Sequence, residues 1–177
     1  MTANRGRLNL ARMKVRNATE ADVPALAAIY NEAVLATTAT YDYDPVTEDS
    51  RRLWLKDQQA QGYVVRVAEI PGDGVVGWGA LSAFNVRKGY RFTVCNSLYV
   101  LGRHQGKGVG RRLLEDQLEI APTSGWRAMI AIIDADNEVS IRLHERHDFE
   151  RVAHLKEVGF KFDRWLDVVY MQRLLAK

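Results

Sequence analysis

The most constraining feature of this chain is a glycine-rich turn between a strand pattern and a helix pattern. The turn reads Gly102-Arg103-His104-Gln105-Gly106-Lys107-Gly108-Val109-Gly110-Arg111. It follows a β-rich run at 90–101 and precedes helical spacing at 109–120. This order places uncapped backbone N–H groups at the positive end of a helix dipole, and glycine leaves them open to a ligand. The segment predicts an anion site, with a purely structural turn as the alternative.

Two widespread phosphate-binding loops do not match this spacing. A Walker A loop has a wider gap and ends in Lys-Ser or Lys-Thr. A dinucleotide-binding loop requires a third glycine where Arg111 stands. Neither of these nucleotide-binding folds is therefore supported.

Charge and composition exclude several classes of partner. The 177 residues contain 25 Lys plus Arg and 22 Asp plus Glu, and Arg5, Arg7 and Arg12 account for the excess. The remaining chain is balanced in charge, so no nucleic-acid surface is expected. One cysteine and the lack of a long apolar run indicate a cytoplasmic protein without membrane contact. We predict a flexible extension at 1–12 and a single domain at 13–177.

The order of strand and helix patterns predicts an α/β fold. Strands are expected near 14–17, 63–69, 75–83, 90–101, 128–133, 151–155 and 165–173. Helices should follow Thr19 and Thr47, the second ending at Gly62, and should span about 109–120 and 137–147. Strands that meander first and then alternate with helices predict a mixed sheet with helices on both faces.

Two spaced motifs carry a family resemblance. Residues 105–110 resemble the acetyl-coenzyme A motif Gln/Arg-x-x-Gly-x-Gly/Ala of the GCN5-related N-acetyltransferases (GNAT). Residues 137–149 are similar to that superfamily's Asn-x-x-(Ala/Ser)-x-x-Leu-Tyr-x-x-x-Gly-Phe. Further similarity at 29–34, 99–105, 142–144 and 159–167 points to the phosphinothricin and methionine sulfone/sulfoximine N-acetyltransferase branch, over residues 13–174.

This resemblance implies a fold, an activity and a set of binding residues. The fold is α/β, with a GNAT-type mixed, mostly antiparallel central sheet and helices on both faces. The activity is transfer of acetyl from acetyl-CoA to the amino group of a small amino acid or analogue, without a metal and usually in a homodimer. The implied cofactor-binding residues are Leu98, Tyr99, Val100, Gln105, Gly106, Lys107, Gly108, Val109, Gly110, Arg111 and Asn137. The implied substrate-binding residues are Lys88, Gly89, Tyr90, Arg91 and Thr93.

Several of these residues have a second interpretation. Strand period places Arg91 and Thr93 on one face with Cys95, Ser97 and Tyr99. The resemblance implies that Arg91 binds the substrate carboxylate or its oxidised side-chain head, and the alternative is that Arg91 and Thr93 face solvent at an edge. Asn137 either binds the cofactor or caps the following helix.

Cys95 and His144 are the catalytic candidates. Related enzymes carry a glutamate at the Cys95 position, where it removes a proton from the substrate ammonium. A thiol is a poorer base near pH 7, and burial weakens it further. His144 stands at the superfamily's tyrosine position, where it would protonate the leaving thiolate, or it packs as a helix residue.

Three interpretations of the chain's function are open, the second of them because of Cys95. The first is an N-acetyltransferase that works by direct transfer, with backbone amides stabilising the oxyanion. The second is an acetyl-CoA-binding protein with impaired catalysis, and the third is an enzyme that acetylates protein N-termini. Cys95 as a covalent acyl carrier is a minor alternative because no histidine partner is visible nearby.

Two further features complete the sequence predictions. Asp148 replaces a family glycine. If that position needs a left-handed backbone conformation, aspartate tolerates it at a modest cost, so local strain without a change of fold is expected. His144 and His147 lie three residues apart, but no carboxylate or cysteine cluster completes a metal ligand set.

Overall fold

A computed structural model describes residues 12–175 as one seven-stranded sheet flanked by helices. All but the last residue of the extension predicted at 1–12 lie outside the described residues. The strands are β1 (Lys14–Asn17), β2 (Val64–Ile70), β3 (Gly74–Ala83), β4 (Thr93–Val100), β5 (Ala128–Asp134), β6 (Glu150–Lys161) and β7 (Arg164–Leu174). Their spatial order is β1-β2-β3-β4-β5-β7-β6, and only β4 and β5 pair in parallel. The predicted mixed, mostly antiparallel sheet is confirmed.

Within the described residues, four α-helices cover the sheet. They are α1 (Val23–Ala36), α2 (Glu48–Ala60), α3 (Val109–Thr123) and α4 (Glu138–Glu145). Leu26 of α1 and Leu55 of α2 pack with Trp78 on one face. Leu114 of α3 and Ile141 of α4 pack with Met129 on the other. In the part of the chain that the structure describes, none of the helices has the length and apolar character needed to cross a membrane.

Local signals place most element ends correctly. The Thr47 side chain accepts a hydrogen bond of 3.1 Å from Ser50 N at the start of α2. Gly62 follows α2 with φ +79°, a conformation that glycine adopts without strain. Asp148 has φ +59°, so this position does adopt a left-handed conformation.

Three predicted boundaries are wrong. The strand expected at 90–101 begins at Thr93, because Lys88–Tyr90 form a turn of 3-10 helix. The helix expected to end near 120 continues to Thr123, because Pro122 lies in the last turn and Ser124 N still bonds to Ile120 O. The strand expected at 151–155 extends to Lys161, where it pairs with β7.

The hairpin between β6 and β7 explains that extension. Phe162 and Asp163 join the strands with φ +52° and +56°. Two positive φ values suit the twist of a two-residue hairpin, but this pair lacks the Asn-Gly or Asp-Gly signal that usually marks one. The hairpin carries Lys161 to the loop that follows α1.

Candidate active site

The central strands β4 and β5 run side by side for only part of their length. Their parallel pairing ends where Asn96 lies opposite Ala131, although β4 continues to Val100 and β5 to Asp134. Beyond that point the strands diverge, and each has one backbone edge without a strand partner. A wedge therefore opens in the middle of the sheet.

A cavity of about 300 Å³ occupies this wedge. Its lining joins the loop after α1, the ends of β4 and β5, α4 and one residue of β7. The lining residues are 38–41, 96–99 and 131–134, with Asn137, Ser140, His144 and Val168. Residues far apart in the chain thus meet at one place.

The open edge of β4 presents peptide groups to the wedge. Leu101 donates its N–H to Val76 O on β3 at 3.0 Å. Because successive residues of a strand direct their N–H and C=O groups to opposite edges, those of Leu98 and Val100 face the wedge. Val100 O accepts a hydrogen bond of 3.1 Å from Gln105 Nε2. An extended ligand can pair with this edge as an added strand would.

The glycine-rich turn lies at the start of α3. Gly106 has φ +69° and Gly108 has φ +86°, and a Cβ at either position would meet no atom within 4 Å. Gly108 is the N-cap of α3, and no side chain within the described part of the chain caps this helix. The first N–H groups are therefore accessible to an anion. The exposed or partly exposed cations around them are Arg103, Lys107, Arg111 and Arg112.

His144 reaches the cavity from α4 and is 3% exposed. Its Nδ1 lies 2.8 Å from Ser140 O, and its Nε2 lies 3.0 Å from Asn96 Nδ2. Because a carbonyl oxygen only accepts, Nδ1 carries the ring proton and Nε2 accepts from Asn96. Burial lowers the pKa of His144, since an imidazolium would lose its hydration. His144 is therefore a neutral imidazole at neutral pH.

Asn96 was missed by the sequence analysis. It is 9% exposed, and its Oδ1 has no hydrogen-bond partner among the described residues. Val94 and Leu98 lie beside it on the same face of β4, so a single polar residue on an otherwise apolar face was the available signal. Asn96 orients the His144 ring from the last paired position of β4.

Cys95 lies one residue before the strands diverge, opposite Ser82 on β3 and Ile130 on β5. Its side chain is half-buried, points to the face opposite that of Asn96, and does not line the cavity. Burial raises the pKa of the Cys95 thiol to about 11, so the thiol is protonated near pH 7. The structure does not bring Cys95 and His144 together.

The five predicted substrate-binding residues lie outside the cavity lining. Lys88, Gly89, Tyr90 and Arg91 are exposed, and Thr93 is partly buried at the start of β4. The Arg91 guanidinium lies 4.2 Å from the centre of the Phe92 ring and donates to Lys88 O at 3.2 Å. Their role in substrate binding stays a prediction.

Most predicted cofactor-binding residues border the wedge or form the turn. Leu98, Tyr99 and Asn137 line the cavity, and Asn137 Oδ1 also caps α4 by accepting from Ser140 N at 3.1 Å. No functional role was predicted for residues 38–41 or 132–134, since no local pattern distinguishes a polar-aromatic loop over a cavity from any other loop. Within residues 12–175, no three His, Cys, Asp or Glu side chains come together.

The model of the acetyltransferase (GNAT) family matches residues 26–149, which include the turn, the diverging strands and α4. The chain belongs to the GNAT family of acetyltransferases. The predicted family is thereby confirmed, and the chain is an N-acetyltransferase.

Three proteins are similar to this chain over nearly its whole length. The L-methionine sulfoximine/L-methionine sulfone acetyltransferase of Salmonella typhimurium is 41% identical over 90% of this chain and 93% of its own. A phosphinothricin acetyltransferase from Sinorhizobium meliloti, solved with acetyl-CoA, has a TM-score of 0.90 and 37% identity over 93% of this chain and 89% of its own. A ribosomal-protein-alanine N-acetyltransferase from Brucella melitensis has a TM-score of 0.89 and 42% identity, covering 92% of this chain and 99% of its own.

Proposed function

We propose that this GNAT enzyme acetylates the amino group of a small free amino acid of the methionine sulfone, methionine sulfoximine or phosphinothricin type. The observation that carries the proposal is the similarity to the Salmonella enzyme over nearly the whole of both chains. The cavity of about 300 Å³ supports it, because this volume suits a small ligand.

Acetyl-CoA supplies the acetyl group as an activated thioester. The turn at 106–111 suits its pyrophosphate, because its N–H groups have no side-chain cap and four exposed cationic residues lie in or next to the turn along the chain. The free edge at Leu98 and Val100 suits the amides of its pantetheine arm, with Tyr99 and Asn137 beside it. The same free N–H groups can donate to an oxygen that gains charge during transfer.

Proton transfer is the step that Cys95 affects, because it stands where the resemblance implies a glutamate. A protonated Cys95 thiol takes no proton from an ammonium group near pH 7, so we propose that the amine reacts in its neutral form. His144 Nε2 then holds the proton that the nitrogen releases and passes it to the departing sulfur. The Asn96 amide would turn its unpartnered Oδ1 toward the new N–H.

We propose that residues 88–91 and Thr93 bind the substrate. Arg91 has an exposed guanidinium that can bind a carboxylate in a bidentate manner. Cys95, Ser97 and Tyr99 continue from Thr93 along the same face of β4, which supports a path from this turn to the wedge.

We also propose a cytoplasmic homodimer. The long edge strand β6 exposes Val152, Leu155, Val158 and Phe160, and Trp165 of β7 is 63% exposed. Exposed apolar edge strands are usually covered by a partner. One cysteine in 177 residues agrees with a reducing compartment. Light scattering with Trp165→Glu, expected to give monomers, tests the dimer.

Two other functions remain as competitors. The similarity to the Brucella enzyme favours acetylation of a protein N-terminus, and Cys95 favours a protein that binds acetyl-CoA with little turnover. Steady-state turnover with methionine sulfone, methionine sulfoximine, phosphinothricin and a peptide beginning with alanine separates the three. Turnover of the peptide alone, or of none of the four, would reject the proposed substrate class.

A further inference from the structure

A buried lysine from the far edge of the sheet holds the loop that follows α1. Lys161, the last residue of β6, is 2% exposed. Its Nζ donates to Thr37 O at 2.9 Å and to Thr40 O at 2.7 Å. A buried ammonium group requires such partners, and hydrogen bonds from a charged donor are stronger than those from a neutral one. Thr37 also ends α1, where a cation is favoured by the helix dipole.

Other contacts hold the same loop from three sides. Tyr41 OH donates to Asp134 Oδ2 at 3.1 Å, and Tyr30 OH lies 2.8 Å from Thr40 Oγ1. The Tyr41 ring packs so closely on Gly159 of β6 that a methyl group there would overlap it. The held segment, residues 38–41, is also one wall of the cavity.

Under the proposed function, this wall lies on the side of the cavity that is left for the amine. It begins at α1, which packs on the face of the sheet opposite to α3 and α4. The turn and the Asn137 cap, which are assigned to acetyl-CoA, belong to α3 and α4. A shift of residues 38–41 should therefore change binding of the amine and leave the cofactor turn in place.

We propose that Lys161 is a positioning residue for the amine substrate, because it holds Thr37 and Thr40 and thereby sets the wall formed by residues 38–41. The inference rests on the proposed function, since it concerns the amine side of the same cavity. Lys161 itself does not line the cavity, so its effect is transmitted through the loop.

The test compares Lys161→Met with Lys156→Met, which removes an exposed lysine of the same strand. Lys161→Met should raise the KM for methionine sulfone at least ~5-fold while the calorimetric Kd for coenzyme A changes less than ~2-fold. Hydrogen exchange of the peptide covering 37–41 should be faster in Lys161→Met than in wild type or Lys156→Met. Lys161→Arg, which keeps a charged donor, should recover part of the lost affinity.

Gly159→Ala provides a second variant should Lys161→Met fail to fold. It displaces the Tyr41 ring without touching Lys161, and it should also raise the KM for methionine sulfone. The inference is overturned by an unchanged KM in the folded variants, by faster exchange without a change in KM, or by an equal loss of coenzyme A affinity. A wild-type enzyme that acetylates no amino acid would instead reject the proposed function, and the inference with it.

Discussion

Nε2 of His144 accepts a hydrogen bond of 3.0 Å from the Asn96 amide at the point where β4 and β5 diverge. With Ser140 O on the other ring nitrogen, this bond keeps the imidazole neutral and in one tautomer. The lone pair that could take part in proton transfer is therefore oriented by a residue of the neighbouring strand.

We expect His144 to make the folded state sensitive to acid. Its pKa is lower in the folded protein than the unfolded value of about 6.5. As the pH falls below about 6.5, the unfolded chain binds the proton first, so stability decreases until the folded pKa is reached. Above that window the effect is absent.

Urea unfolding of wild type and His144→Gln between about pH 7.5 and 4.5 measures this contribution. Wild type should lose up to about 1.4 kcal/mol more per pH unit than the variant inside the window. Other buried groups such as His104 are common to both proteins, so their contributions to the free energy of unfolding cancel in the difference. Curves that stay parallel throughout would show that His144 is not a buried neutral imidazole.

Cys95→Glu should raise turnover near pH 7 by ~100-fold to ~10,000-fold, as a positioned general base typically does. A carboxylate is ionised at this pH, whereas burial raises the pKa of the Cys95 thiol to about 11. Wild-type turnover should keep rising with pH as more free amine is present, and the glutamate variant should level off earlier. Single-turnover pH–rate profiles at saturating acetyl-CoA provide the measurement.

Cys95→Ala is the matched control and should retain the wild-type profile. If Cys95→Glu folds and binds coenzyme A but is no faster at any pH, then residue 95 does not occupy the base position.

Gly108→Val should weaken acetyl-CoA binding at least ~10-fold, or about 1.4 kcal/mol. The side chain would occupy the open approach to the α3 N-terminus and would strain a residue with φ +86°. Gly125→Val is a matched control, because Gly125 has φ +81° and open space at the other end of α3. Calorimetry that finds equal affinities for the two folded variants would remove the cofactor assignment of the turn.

Arg91→Leu should raise the KM for a carboxylate-bearing amine while acetyl-CoA affinity stays nearly constant, because only the substrate carboxylate would lose a partner. Arg87→Leu, an exposed arginine of the same loop, serves as the control. The decisive comparison is with the matching amine that lacks a carboxylate. An equal loss for that amine would place Arg91 outside the substrate site.

Much of the site could be predicted from local sequence because its backbone depends on nearby residues. Gly106 and Gly108 adopt positive φ, and the uncapped helix begins directly after them. The alternation of side chains along β4 correctly places Cys95 on the face of the sheet opposite that of its two neighbours in the strand. Asp148, in place of a family glycine, takes the left-handed conformation that glycine favours. Each of these depends on backbone conformation and hydrogen bonds within a few residues.

The cavity itself was decided only by the tertiary structure. Paired residues of β4 and β5 lie 35 positions apart in the chain, and their pairing ends at Asn96. No spacing in either strand encodes the point at which the two strands diverge. Tyr41 reaches Asp134 across 93 positions, and Lys161 reaches Thr37 across 124. The sequence alone predicted the strand, the turn and the helix of the candidate anion site, because short-range backbone geometry specifies them. Sheet pairing and side-chain packing determined which distant residues surround the cavity, because those contacts exist only after the chain has closed its long loops.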